Sequence, residues 1–489
     1  MSGRFFVHTF GCQMNVHDSD RMQDVLIAHG WTAAAAPEEA DLLVFNTCSV
    51  RETAENKLRI EIDKLRPLKR ARPSLLIAVA GCVAQQEGDR LLKELPALDL
   101  VIGPDNIPEL PALLSGQLAG APPLARTVFD VEAPHFLAAE PRPGQAPVSA
   151  YVTTMKGCDE RCSFCVVPYT RGPERYRPAD EIVGEVARWV AAGAREILLL
   201  GQTVDSYRDQ GLPPPVSADP DETQFPFLLR RIAHEVPALR RLRYTSPHPR
   251  HTTESLCQAH AELPVLCRHI HLPVQSGSNR VLKRMIRRYT REEFLLRAER
   301  LRRARPGLTL STDFIVGFPG ETEEDFQATL SLVREAGFTT AFTYKYSVRP
   351  YTPARKLVDD VPEEVKAERL LRLIAAVESQ GAAYLQGLVG TTTQVLIEGR
   401  SKRAPRGETP AGDIYHGRSE RNEVVHIEFP TRSIPIGELV EVAITRAHKH
   451  SLIGELAAAD RDRFAAQAPP HVLAPQPSPA PRRVLPLLG

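Results

Sequence analysis

The 489-residue chain carries almost no net charge: 61 Lys and Arg stand against 60 Asp and Glu, a formal +1. That balance removes any whole-molecule argument for a polyanionic partner. No apolar run is long enough to cross a bilayer, and the longest, around residues 75–84, is about half the required length. The N-terminus, MSGRFFVHTFGC, has one arginine followed by apolar residues broken at His8 and Thr9, so it lacks the apolar stretch of a secretory signal. These absences point to the cytoplasm and to no membrane attachment, a setting in which thiols stay reduced and bind metal. Also missing are the marks of acid-base or nucleophilic hydrolysis, since neither a Ser-His-Asp set nor paired carboxylates stand out.

What is present is metal chemistry. Cys158, Cys162 and Cys165 lie in KGCDERCSFC, a Cys-x3-Cys-x2-Cys spacing. Three thiolates so close together hold three irons of a four-iron cubane and leave the fourth iron open to another ligand. A structural zinc site would need a nearby fourth Cys or His, and the next after Cys165 is His234. Unrelated core thiols are the remaining alternative.

Length implies about three domains, and 43% hydrophobic with 25% charged residues is a soluble globular composition. In the first third, apolar runs at 5–10, 42–45 and 75–80 end at Cys12, Cys48 and Cys82, and helical patterns follow at 18–29, 52–65 and 84–95. This alternation predicts a parallel sheet with crossover helices, whose carboxyl strand ends collect ligands. Any one of these cysteines alone reads as a small buried hydrophobe. Three at equivalent strand ends, 36 and 34 residues apart, read as joint ligands of a second cluster.

Residues 133–150, rich in Pro, read as a linker. Strands are then expected at 151–156, 197–200, 242–245, 269–272, 308–315 and 340–346, alternating with helices. Six such units predict an open (βα)6 partial barrel over 151–384, with Cys158 just after its first strand. Residues 362–386 are strongly helical, and short strands at 393–398, 423–429 and 439–445 predict a small antiparallel β-barrel over 385–457. Residues 458–489 form a Pro/Ala-rich tail expected to be disordered. The fold class is therefore α/β with a small β-barrel appended. Residues 280–305 hold eleven Lys or Arg against three Glu, readable as a solvated helix face or a phosphate-binding surface. Cys257 and Cys267 read as buried and inert.

The Cys-x3-Cys-x2-Cys motif before a six-unit barrel resembles the radical S-adenosylmethionine superfamily. Residues 11–15 (GCQMN), 46–52 (NTCSVRE) and 80–82 (AGC) resemble the N-terminal domain of the methylthiotransferases. Residues 271–278 (HLPVQSGS), 317–322 (GFPGET) and 346–350 (YSVRP) resemble the same family's barrel. Residues 399–402 (GRSK) and 417–422 (GRSERN) resemble its C-terminal RNA-binding TRAM module. The likeness spans about residues 4–457, and NTCSVR with PYTRG (168–172) is most similar to the bacterial branch acting on isopentenylated adenosine 37 of tRNA. The chain departs from the family at Thr203 and Asp205, where asparagines are usual.

The resemblance implies two [4Fe-4S] clusters, one on Cys158, Cys162 and Cys165 that cleaves S-adenosylmethionine to a 5'-deoxyadenosyl radical, and one on Cys12, Cys48 and Cys82 that carries sulfur. It implies two S-adenosylmethionine molecules per turnover. Phe164, Gly201, Gln202, Gln275, Ser276 and Asp313 are candidate S-adenosylmethionine contacts, and Arg400, Lys402, Arg403 and Arg406 candidate RNA contacts. An external electron donor of flavodoxin or ferredoxin type and a monomeric enzyme are expected. Alternatives are the same reaction on threonylcarbamoyl-adenosine or on a ribosomal protein, or a non-catalytic iron-sulfur RNA-binding scaffold.

Overall fold

The computed structural model describes residues 3–49, 52–132, 134–141, 144, 146–215, 217–401, 413–429 and 436–466. The first domain runs β1 (Arg4–Phe10), α1 (Gln13–Ala28), β2 (Thr32–Ala33), β3 (Leu42–Thr47), α2 (Glu52–Ala71), β4 (Leu76–Gly81), α3 (Cys82–Glu87), α4 (Asp89–Glu94), β5 (Leu100–Ile102), α5 (Leu110–Leu118) and β6 (Leu124–Arg126). Its strands make one parallel sheet in the order β2-β1-β3-β4-β5-β6. Side-chain alternation splits the central strands between two cores. Leu43, Phe45, Ile77 and Val79 pack with Leu58 and Ile62 of α2, while Leu42, Val44, Leu76 and Ala78 pack with Met22 and Leu26 of α1. The third helical stretch is broken into α3 and α4 by Gly88, whose φ of 49° lies in the left-handed region.

The second domain continues through β7 (Ser149–Thr153), β8 (Met155–Lys156), α6 (Val167–Thr170), β9 (Arg175–Tyr176), α7 (Ala179–Ala191), β10 (Glu196–Leu200), α8 (Phe225–Glu235), β11 (Arg241–Tyr244), α9 (Glu254–Glu262), β12 (His269–His271), α10 (Asn279–Arg284), α11 (Arg291–Ala304), β13 (Thr309–Val316), α12 (Glu323–Ala336), β14 (Thr340–Lys345) and α13 (Glu363–Gly387). Six parallel strands form two sheets, β7-β10-β11 and β12-β13-β14, bridged by Leu242 and Leu266. Among the described residues β7 and β14 do not pair, which leaves the barrel open there. Ile197, Leu199, Leu242, Leu310 and Phe314 face the helices and build the largest core. The alternate residues, Glu196, Arg241, Arg243, His269, His271, Ser311 and Asp313, line the opposite, inner face, as the two-residue period of a strand requires.

The third domain comprises β15 (Thr392–Arg400), β16 (Asp413–Ser419), β17 (Val424–Phe429), β18 (Leu439–Ala447), β19 (Leu452–Leu456) and α14 (Ala458–Ala466). The strands close into a barrel in the order β15-β16-β17-β19-β18. Four of its pairings are antiparallel, and β17 with β19 is parallel. Residues 458–466, expected within a disordered tail, instead form α14, because Phe464 packs edge-on against Phe429 and enters the barrel core. Residues 467–489 lie outside the described residues.

Both smaller domains dock on the barrel, at opposite ends. At the amino ends of the strands, Arg241 donates to the carbonyls of Arg418 (2.6 Å) and Gln394 (3.0 Å), and Arg243 to those of Ser419 (2.7 Å) and Glu420 (3.3 Å). The β16–β17 turn thus covers the bottom of the lumen. At the carboxyl ends, the first domain reaches both free edges: Asp105 pairs with Arg175 and Lys156 next to β7, and Glu55 with Arg349 (3.7 Å) after β14. Of the basic side chains at 280–305 only Arg287 is buried; Arg280, Lys283, Arg284, Arg288, Arg300 and Arg303 are exposed, though several are engaged within the domain. Arg280 pairs with Asp325 and Arg291 with Glu335, while Arg284, Arg302 and Arg305 donate to carbonyls of neighbouring segments.

Candidate functional site

Because β1, β3 and β4 are adjacent and parallel, with Phe10 opposite Thr47 and Thr47 opposite Gly81, their following residues meet at one sheet edge. These are Cys12, at the N-cap of α1; Cys48; and Cys82, the first residue of α3. Two asparagines from the same motifs hold the loops behind them. Asn15 Nδ2 donates to Asn46 Oδ1 (3.0 Å), and Asn46 Nδ2 donates to the Asn15 carbonyl (2.8 Å) and to Ser19 Oγ (2.9 Å). Gly81, with φ of 91°, passes so close to Asn46 and to the Thr47 carbonyl that any Cβ would collide. Glycine before Cys82 is therefore a steric requirement.

Hydrogen bonding to Cys48, aided by Asn15 and Arg171, lowers the thiol of Cys12, an exposed residue, to about 6 against desolvation by its neighbours. Burial raises the Cys82 thiol, opposed by Arg171. Arg171 comes from the second domain. Its Nε donates to Cys82 Sγ (3.2 Å) and its Nη2 to Asp18 Oδ2 (2.6 Å), with both side chains buried. Beside Cys48, Thr47 Oγ1 and Ser49 Oγ are buried without a partner among the described residues. Unpaired buried hydroxyls around three thiols fit a polar, sulfide-bearing group at that edge.

The second set lies on the loop after β8. Gly157 (φ 81°) crosses against the carbonyls of Gly172 and Pro173, and its N–H donates to Gln202 Oε1 (2.6 Å). Cys158 Sγ lies 2.9 Å from Thr203 Oγ1. Cys162 Sγ accepts from Arg287 Nη1 (3.2 Å), whose Nη2 donates to the Pro273 carbonyl (2.6 Å). Burial raises Cys158, and raises Cys165 to about 12; each feels a second thiol of the set, Cys165 for Cys158 and Cys162 for Cys165. Buried thiols so disfavoured as free thiolates become ligands when a metal supplies the compensating charge. Among the described residues no group of three or more His, Cys, Asp or Glu side chains is arranged to hold a single metal ion. The fit to multi-iron clusters rests on the donor chemistry of the two cysteine sets.

The other expected site residues divide. Gln202 braces the cysteine loop, and Gly201 packs where a Cβ would strike Met155. Gln275 sits in the left-handed region (φ 75°), clamped by backbone hydrogen bonds to Asp313 (2.8 Å) and Ile315 (2.9 Å). Asp313 faces His271 at 3.4 Å on the inner wall. Phe164 is half-buried against the small cluster of Met285, Phe318 and Tyr346. Ser276 is fully buried, its hydroxyl accepting from the Ser278 N–H (3.2 Å) beside Thr329 Oγ1. Arg400 is exposed and pairs with Asp413; Lys402, Arg403 and Arg406 lie outside the described residues. Reasoning from sequence missed Arg171 and Arg287 as thiol partners. The first stood in the PYTRG motif and the second in the basic run, but only the fold reveals which sulfur each one meets.

Three family models match in succession: Uncharacterized protein family UPF0004 over residues 4–103, the Radical SAM superfamily over 152–333 and the TRAM domain over 386–457. A tRNA-2-methylthio-N(6)-dimethylallyladenosine synthase of Sorangium cellulosum is 60% identical over 99% of both chains. The chain belongs to this synthase family. The synthase of Bordetella bronchiseptica is 44% identical over 95% of this chain and 94% of its own, and that of Burkholderia cenocepacia 44% over 93% and 97%. Among solved structures, the radical S-adenosylmethionine methyltransferase TsrM from Kitasatospora setae matches with a TM-score of 0.50 and 18% identity, covering 83% of this chain and 82% of that one, a likeness of fold. Membership in a radical SAM family implies a [4Fe-4S] cluster and S-adenosylmethionine. No helix among the described residues is long and apolar enough to cross a membrane.

Proposed function

We propose that the protein converts N(6)-dimethylallyladenosine at position 37 of tRNA to its 2-methylthio derivative, using two S-adenosylmethionine molecules per turnover. A cluster on Cys158, Cys162 and Cys165 would supply the electron that cleaves bound S-adenosylmethionine, and a second on Cys12, Cys48 and Cys82 would supply sulfur. The residues around them hold and shield. Arg287, Thr203 and Gln202 fix the barrel loop, and Asn15 and Asn46 fix the sheet edge. The first domain, tied to both free barrel edges, keeps water from the space between the cysteine sets. Phe164, Gly201, Gln202, Gln275 and Asp313 are the rim and wall positions we assign to the cosubstrate. The C-terminal barrel is assigned to tRNA, the protein to the cytoplasm as a monomer, and the reducing electron to an external flavodoxin- or ferredoxin-type donor.

The observation that carries this reading is that one loop touches both three-cysteine sets: Arg171 Nε donates to Cys82 of the first domain, and the adjacent Gly172 carbonyl accepts from the Cys158 N–H (3.2 Å) of the barrel. Mass analysis of tRNA nucleosides tests it. Cells carrying Cys48→Ala are expected to lose the 2-methylthio product while the purified variant still forms 5'-deoxyadenosine under dithionite. Unchanged product would sink the proposal, and absence of 5'-deoxyadenosine formation by the unsubstituted protein would favour a scaffold instead.

A further inference from the structure

Arg171 carries the loop that follows the barrel cysteines to a thiol of the first domain, and the next residue, Gly172, accepts at its carbonyl from the Cys158 N–H (3.2 Å). Arg171 lies six residues after Cys165, at the C-cap of α6, and is 5% exposed. Its guanidinium fork is divided: Nε meets Cys82 Sγ at 3.2 Å and Nη2 meets Asp18 at 2.6 Å, both in the first domain. Its carbonyl accepts from Arg175 Nη2 (2.6 Å), and Arg175 in turn pairs with Asp105. His17, beside Asp18, returns the chain of contacts to the barrel at Thr153 Oγ1 (3.2 Å). A guanidinium stays charged in any protein environment and divides its donors with fixed geometry, which a lysine cannot reproduce. Burial leaves that charge poorly screened.

We propose that Arg171 is a positioning residue that sets the reduction potential of the N-terminal cluster, holding it up through a charged hydrogen bond to Cys82, with Asp18 tempering the effect. The inference rests on the second cluster of the proposed function. A positive charge beside a ligand sulfur favours the electron-richer state of the cluster, and a nearby carboxylate opposes it. Because Arg171 follows directly from the barrel's cysteine loop, the same contact makes the sulfur-bearing site sensitive to whether the two domains are docked.

The test uses the full chain with Cys158, Cys162 and Cys165 replaced by Ala, reconstituted anaerobically so that only the N-terminal cluster is observed, with iron and sulfide counted and the midpoint followed by electron paramagnetic resonance. Arg171→Gln is expected to shift the midpoint to more negative potential and Asp18→Asn to more positive potential, with Arg171→Lys between Gln and the unsubstituted residue. Should Arg171→Gln lose its iron, the sign of the Asp18→Asn shift decides. Iron retained with an unmoved midpoint in Asp18→Asn and Arg171→Gln overturns the inference. Loss of iron from all three variants does so too, since the pair would then be scaffold alone. Absence of iron from the unsubstituted N-terminal cysteines overturns the proposed function itself, a separate result.

Discussion

Asp205 is a buried carboxyl where the family resemblance leads one to expect asparagine. Its Oδ1 accepts from the His248 N–H (2.8 Å), while Oδ2 has no partner among the described residues. Burial raises it to about 7, opposed by His251. A carboxyl whose folded value exceeds its unfolded value of 3.8 loses its stabilising contribution as pH climbs from about 4 to about 7. Asp205→Asn is therefore expected to match the parent near pH 4 and to be more stable at pH 8, on the order of 4 kcal/mol; thermal unfolding at the two pH values checks it. His251 moves the other way. Burial depresses it, yet the Glu160 hydrogen bond (3.1 Å) and Asp205 raise it to about 9. Its contribution is complete below about pH 6.5 and is lost as pH rises through about 9, so His251→Gln is expected to flatten the unfolding-temperature profile in that window. At this scale the placement of Cys12, Cys48 and Cys82 at strand ends was legible, because spacing and apolar runs are properties of the sequence. Arg171, Arg287 and the Thr203–Cys158 contact were not, since each joins segments at least 45 residues apart.

Among the elements, the cysteine loop is the most tightly constrained. Gly157 combines a φ of 81° with carbonyls that leave no room for a Cβ. Gly157→Ala is expected to cost more than about 2 kcal/mol locally and to lower iron bound by the barrel cysteines while the first domain's iron is unchanged, as metal analysis would report. Elements with strong apolar periodicity were legible: five of the six barrel strands fall within one residue of expectation, since buried parallel strands are short apolar runs, whereas the first ends at Thr153 and residues 155–156 turn away to pair with β9. In the C-terminal barrel, β16 and β19 escaped notice. The first presents His416, Gly417 and Arg418 in sequence, and the second is only five residues with Gly454 at its centre, so neither carries a clean two-residue period. Gly417 and Gly454 are there because neighbouring strands approach too closely for a side chain, a demand visible only once the barrel closes.

On the scale of the whole molecule, the α/β class with an appended β-barrel was legible in the sequence, but the arrangement of the parts was not, because the tying groups are charged residues scattered along the chain. Arg241 and Arg243 show this well: they occupy alternate positions of a buried strand, where sequence alone gives no reason for arginine, and they hold four carbonyls of the C-terminal barrel. Hydrogen bonds from a charged donor contribute about 1.5–3 kcal/mol each. Arg241→Gln combined with Arg243→Gln is expected to separate one unfolding transition into two and to expose the segment after α13 to protease, measured by calorimetry and limited proteolysis. The turn carrying Ser419 and Glu420 also decides the topology of traffic. With it seated beneath the strands the barrel is a cup and not a tube: an occupant comes and goes by the rim or by the open seam between β7 and β14, and is not threaded from end to end.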